Sequence, residues 1–163
     1  MKVALASFAI LLFALSASAQ SVQPNFVALD MNGNRVELSA LQGKVVVINL
    51  WFINCPNCLD EIKQLNGLVD DYKAKSDVVF LGLAASPKPA LETFLKKTPF
   101  NYTIIPNAQM IIISKFGTPD ASGQINVPFP MHYVIDRDGK VVLKEQGIKG
   151  VEAVRAELKK QVK

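Results

Sequence analysis

Val45-Val46-Val47-Ile48-Asn49-Leu50-Trp51-Phe52-Ile53-Asn54-Cys55-Pro56-Asn57-Cys58 is the stretch on which the reading of this chain turns. Its first part is too continuously apolar for a strand with one wet face, so Lys44 to Phe52 reads as a strand buried on both sides. Beyond it, Ile62, Leu65, Leu68, Val69 and Tyr72 recur at helical spacing, which predicts an amphipathic helix over Leu59 to Lys75. The cysteines therefore fall at a strand-to-helix junction, and they are the only two in the chain. A disulfide between them closes so short a loop that it removes little entropy from the unfolded chain. Stapling is a poor reason for such a pair; reversible thiol chemistry is a better one.

Working outward, Phe26 to Asp30 and Arg35 to Leu38 read as short strands around a turn at Asn32-Gly33-Asn34. Val78 to Ala84 is a second fully apolar strand. Pro89 opens a helix running to about Lys97, Tyr102 to Ile105 reads as a strand, and Ala108 to Phe116 as a helix ended by Gly117. Thr118 to Val127 has loop composition. Met131 to Asp136 and Lys140 to Glu145 form a hairpin about Arg137-Asp138-Gly139, and Val151 to Val162 closes the chain as a helix. Alternating strands and helices followed by a hairpin and helix predict an α/β protein, a three-layer sandwich on a mixed sheet. The crossover from Lys44–Phe52 to Val78–Ala84 predicts a parallel βαβ unit.

Residues 1–19 have the pattern of a cleaved signal peptide: Lys2, an apolar stretch from Val3 to Leu15, and Ala17-Ser18-Ala19 at the cleavage site. The apolar stretch is short of the ~20 residues a membrane span needs. Residues 20–163 are then one domain, exported to the periplasm or another extracytoplasmic space. The formal charge of +4 is mild and dispersed, and points to no nucleic-acid partner.

At a helix N-terminus the unpaired N–H groups and the helix dipole favour an anion, which lowers the pKa of a thiol placed there. Cys55 is thus the expected exposed nucleophile. Cys58, one turn further in, is the expected resolving thiol. Pro56 suits the first turn because it has no N–H to leave unpaired. Glu61 follows Cys58 on the same face; by residue type it is either a proton acceptor for Cys58 or an ordinary solvated acid in an early turn.

The chain resembles the thioredoxin superfamily and, within it, the exported TlpA/ResA/CcmG-like thiol–disulfide oxidoreductases. The likeness is carried by Pro24-Asn25-Phe26 with Leu38 to Gly43, by Val45 to Trp51 with Cys55-Pro56-Asn57-Cys58, by Glu61, and by Pro130-Met131-His132-Tyr133-Val134-Ile135-Asp136 with Gly139. It implies a thioredoxin-like α/β/α sandwich with an N-terminal strand extension. It implies Cys55, Cys58 and Glu61 as catalytic residues, and Trp51, Phe129 and Pro130 as the substrate-binding residues, with Pro130 cis. Asn49 stands where thioredoxin has a buried aspartate, which shifts the proton-handling role to Glu61. The resemblance further implies a monomer without cofactor or metal that acts on protein disulfides. A membrane thiol-transporting protein would be its electron donor, and cytochrome c maturation its setting; the absence of a histidine between the cysteines leans toward a reductant.

Three departures stand out. Asn54 replaces an aromatic residue before the first cysteine, which predicts a more polar surface around Cys55. The segment Thr118 to Val127 is longer than usual. His132, the only histidine, is either a packed strand residue or a group that tunes the thiolate or joins the cysteines at a metal. That last possibility makes a copper metallochaperone built on Cys55, Cys58 and His132 the rival reading, although copper carriers of this kind usually have three residues between the cysteines. A zinc site lacks a fourth ligand. A peroxiredoxin would need threonine or serine three residues before its cysteine, where this chain has Phe52.

Overall fold

The computed structural model describes residues 24–162. The expected signal segment, residues 1–19, lies outside them. Strands β1 (Val27–Leu29) and β2 (Arg35–Glu37) pair antiparallel, and the turn between them is tied by the Asp30 carboxylate, which accepts the N–H groups of Asn32 and Asn34 at 2.8 Å each. Strand β3 (Val45–Trp51) is buried along all seven residues. Helices α1 (Pro56–Asp60) and α2 (Ile62–Tyr72) lead from it to β4 (Val78–Ala84). Then come α3 (Lys88–Leu95), β5 (Thr103–Ile105), α4 (Gln109–Phe116), the two-residue strands β6 (Thr118–Pro119) and β7 (Ile125–Asn126), β8 (Met131–Ile135), β9 (Val141–Gln146) and α5 (Gly150–Gln161).

The central sheet has five strands in the order β5-β4-β3-β8-β9. Strands β3, β4 and β5 run parallel, and β8 and β9 antiparallel to their neighbours, so the sheet is mixed. Period-two alternation explains why β3 is buried along both faces and apolar but for Asn49. Val46, Ile48 and Leu50 pack toward Ile112 and Phe116 of α4 and toward Phe26 and Leu38. Val45 and Val47 pack toward Leu65 and Leu68 of α2 and Val154 and Leu158 of α5. The layers are therefore α1, α2 and α5 on one face, and α4 with the N-terminal hairpin on the other. This is the thioredoxin-like arrangement, with five α-helices among the described residues.

Two local expectations are corrected. The single helix expected over Leu59 to Lys75 begins earlier, at Pro56, and is divided at Glu61, the residue whose carboxylate turns into the protein. The stretch expected to be a loop, Thr118 to Val127, contains the β6–β7 hairpin. Its turn is organised by the Asp120 carboxylate, which accepts the Ser122 and Gln124 N–H groups. No helix among the described residues is long and apolar enough to cross a membrane.

Candidate active site

Cys55 and Cys58 form a disulfide with their Cα atoms 5.2 Å apart. Cys55 is the N-cap of α1, Pro56 takes the first helical position, and the Cys58 N–H points at the Cys55 sulfur, 3.2 Å away. An N–H aimed at that sulfur is the local feature that would favour a thiolate there after reduction. The expectation that Cys55 is exposed is not met in the oxidised form: Cys55 is 4% exposed and Cys58 2%. The reason is apolar packing. Phe52, Ile53, Phe129 and Met31 lie against the cluster that holds both cysteines, and Phe52 meets Phe129 edge-on at 5.2 Å. Asn54, just before Cys55, is exposed, as are Pro56 and Asn57.

Three residues after Cys58, Glu61 anchors a buried polar group set that the sequence did not assemble. Glu61 is fully buried. Its Oε1 accepts Asn49 Nδ2 at 3.1 Å, and its Oε2 lies 3.1 Å from His132 Nε2. Asn49 and His132 are cross-strand partners of β3 and β8, which places both on the sheet face that packs on α2 and α5. The Tyr102 hydroxyl reaches Asn49 Oδ1 at 3.5 Å. Burial, with the Glu61 charge second, holds the Tyr102 phenol well above its usual value. Of the two readings left open for Glu61, the solvated acid is excluded by its burial. The signal for this set was present only as Asn49, Glu61 and His132 scattered over the chain.

The Phe129–Pro130 peptide is cis, and Pro130 is buried where β8 begins beside β3. Phe129 is half-buried at the rim. Trp51, expected among the substrate-binding residues, is placed elsewhere. It is 1% exposed, stacked on Phe100 at 4.5 Å and tilted against Phe94 at 5.8 Å. As the last residue of β3 it points into the layer covered by α3, so it supports the cysteine loop from below.

The metal reading of His132 is also corrected. His132 is fully buried with Nε2 engaged by Glu61, and no three His, Cys, Asp or Glu side chains among the described residues converge as a ligand set.

A thioredoxin-like sheet carrying a Cys-x-x-Cys disulfide at the head of a helix, opposite a cis-proline, defines a thiol–disulfide oxidoreductase. The AhpC/TSA family profile matches residues 19–144, and the chain belongs to that family. The thiol-disulfide oxidoreductase ResA of Bacillus thuringiensis is 30% identical over 137 residues, 84% of this chain and 75% of that protein. Among solved structures, a Chlorobium tepidum protein described as thiol:disulfide interchange protein DsbE superposes with a TM-score of 0.73 at 22% identity, covering 86% of this chain and 95% of that one. A secreted Mycobacterium tuberculosis disulfide oxidoreductase, described as homologous to Escherichia coli DsbE, gives 0.66 at 22% identity over 84% and 96%. These likenesses agree on the thioredoxin-like fold. The sequence relatives carry the oxidoreductase activity.

Proposed function

We propose that this oxidoreductase is an exported reductant of protein disulfides, cycling between the Cys55/Cys58 dithiol and its disulfide. The observation that carries the reading is the buried carboxylate of Glu61 one turn beyond Cys58. In the forward half-reaction the Cys55 thiolate attacks a substrate disulfide. One substrate sulfur leaves as a thiolate, and the other is held as a mixed disulfide on Cys55. Glu61 then takes the Cys58 proton, and the Cys58 thiolate attacks Cys55 Sγ, expelling the second substrate thiolate. The substrate gains two electrons, the enzyme loses two, and the disulfide is restored.

Phe129 and Pro130, at the rim beside the cysteines, are the residues proposed to meet an extended substrate segment. The signal-like residues 1–19, and a secreted protein among the structural relatives, support an extracytoplasmic location. Re-reduction by a membrane thiol-transporting protein, and a role in cytochrome c maturation, are part of the same proposal. A peroxidase reading has no support in the site, because Phe52 occupies the place of the hydroxyl residue and packs on Phe129.

The test is reduction of a protein disulfide by the dithiol form, followed by trapping. Wild type should turn over with dithiothreitol, Cys55→Ser should be inactive, and Cys58→Ser should stall as a one-to-one mixed disulfide visible by mass. Turnover by Cys55→Ser would sink the reading.

A further inference from the structure

His132 is the group in the buried set that the dithiol mechanism leaves without a task. Its ring is fully buried, Nε2 faces Glu61 Oε2 at 3.1 Å, and Nδ1 has no hydrogen-bond partner. A proton on Nδ1 would be a buried donor with nothing to receive it, so the partners assign the ring proton to Nε2, directed at Glu61. Glu61 then receives one donor on each oxygen, Asn49 on Oε1 and His132 on Oε2. These bonds offset part of the desolvation of a buried carboxylate that has no cation beside it.

The ring is itself held from behind. A Cβ built on Gly150, the first residue of α5, would lie 2.1 Å from His132 Cδ2, 2.8 Å from Nε2 and 3.0 Å from Cγ. Any side chain at residue 150 would therefore push the ring off Glu61. A line of contacts runs from α5 through β8 to Glu61 at the α1–α2 junction, three residues after the resolving cysteine.

We propose that His132 is a positioning residue for the dithiol chemistry, holding the Glu61 side chain in place to accept the Cys58 proton, and that Gly150 is the small residue that keeps the His132 ring in place. The inference rests on the reading of Glu61 as proton acceptor. The ionisable groups next to the pair in chain or register are Cys55 and Cys58 on α1, the exposed Asp60 before Glu61, Tyr102 beyond Asn49, Glu145 opposite His132 in the β8–β9 register, and Lys149 next to Gly150. Lys63 of α2, Lys144 of β9, and Glu152 and Arg155 of α5 are at least partly exposed. Glu145 is partly exposed and Lys149 exposed, so water screens both.

The experiment follows the reduced full-length protein reacting with an aryl disulfide reagent across pH. Each step releases a coloured thiolate, the first as Cys55 forms the mixed disulfide and the second as Cys58 resolves it. His132→Leu should leave the first phase unchanged, slow the second roughly tenfold near neutrality, and move its rising limb to higher pH. His132→Gln, which still offers an N–H to Glu61, should recover most of the second-phase rate. Gly150→Ala should shift the profile in the same direction as His132→Leu. In a Glu61→Gln background, His132→Leu should add nothing. If Glu61→Gln slows the second phase while His132→Leu does not, this inference falls alone. If the Leu and Gln variants slow both phases equally, His132 is only packing. Should Glu61→Gln itself leave the second phase untouched, the proton-acceptor reading and this inference fall together.

Discussion

Cys55 and Cys58 differ in what lies around each sulfur. Cys55 caps α1 and faces the Cys58 N–H, whereas Cys58 sits one turn in, three residues before buried Glu61. In the reduced protein the capping position should hold the more reactive thiolate. Brief alkylation at mildly acid pH should label Cys55 well before Cys58 by peptide mass; equal labelling would contradict the division of roles. Buried phenols give a second residue-scale expectation. Burial pushes Tyr133 up from 10.0 to about 12 and also raises Tyr102 well above its usual value. A raised folded-state value means the stabilisation is complete below about pH 10 and drains away as the pH rises through the folded value. Tyr133 alone would account for on the order of 2 kcal/mol of that loss. Denaturation midpoints measured from pH 9 to 12 should fall, and Tyr133→Phe should flatten the decline.

At the scale of elements, two glycines should answer the same substitution with opposite signs. Gly67 lies in the middle of α2 with nothing within 4 Å of an added Cβ. Alanine there should stabilise the protein by about 0.5–1 kcal/mol, because glycine is a poor helix residue. A Cβ built on Gly82 of β4 would lie 2.6 Å from Ile104 Cδ1, 3.0 Å from Tyr102 Cε2 and 3.1 Å from Trp51 Nε1. Alanine there overpacks the layer beneath the cysteines and should cost about 1–3 kcal/mol. Urea midpoints of the two variants decide both. Elements that announce themselves by their own composition were legible in advance: β3 and β4 as unbroken apolar runs, and the turn at Arg137-Asp138-Gly139. The cis Pro130 was legible only through the family resemblance of the segment it opens. The β6–β7 hairpin was not, since strands of two residues have no periodicity and Asp120 fixes the turn by side-chain bonds. Nor was the division of the helix at Glu61, whose carboxylate partners, Asn49 and His132, come from two other elements. Trp51 was misplaced for a related reason: its burial depends on Phe94 and Phe100, which only the α3–β5 excursion brings to it.

Across the whole molecule, the two faces of the sheet divide the work. The face under α4 and the N-terminal hairpin is apolar packing, while the face under α1, α2 and α5 carries Asn49, Glu61 and His132 at its redox end. Trp51 lies in the same buried cluster as both cysteines, so its fluorescence should change on reduction of the disulfide and report the state of the pair. The measurement that tests the account most directly is an equilibrium titration of the full chain in thiol/disulfide buffers, following Trp51 and counting free thiols. The account predicts a single two-electron transition near the potential of thioredoxin, about −270 mV, with fluorescence and thiol count coincident. A potential near about −120 mV would make the protein an oxidant and contradict the proposed direction of electron flow. Failure of the Cys55–Cys58 pair to cycle at all would contradict the account at its centre.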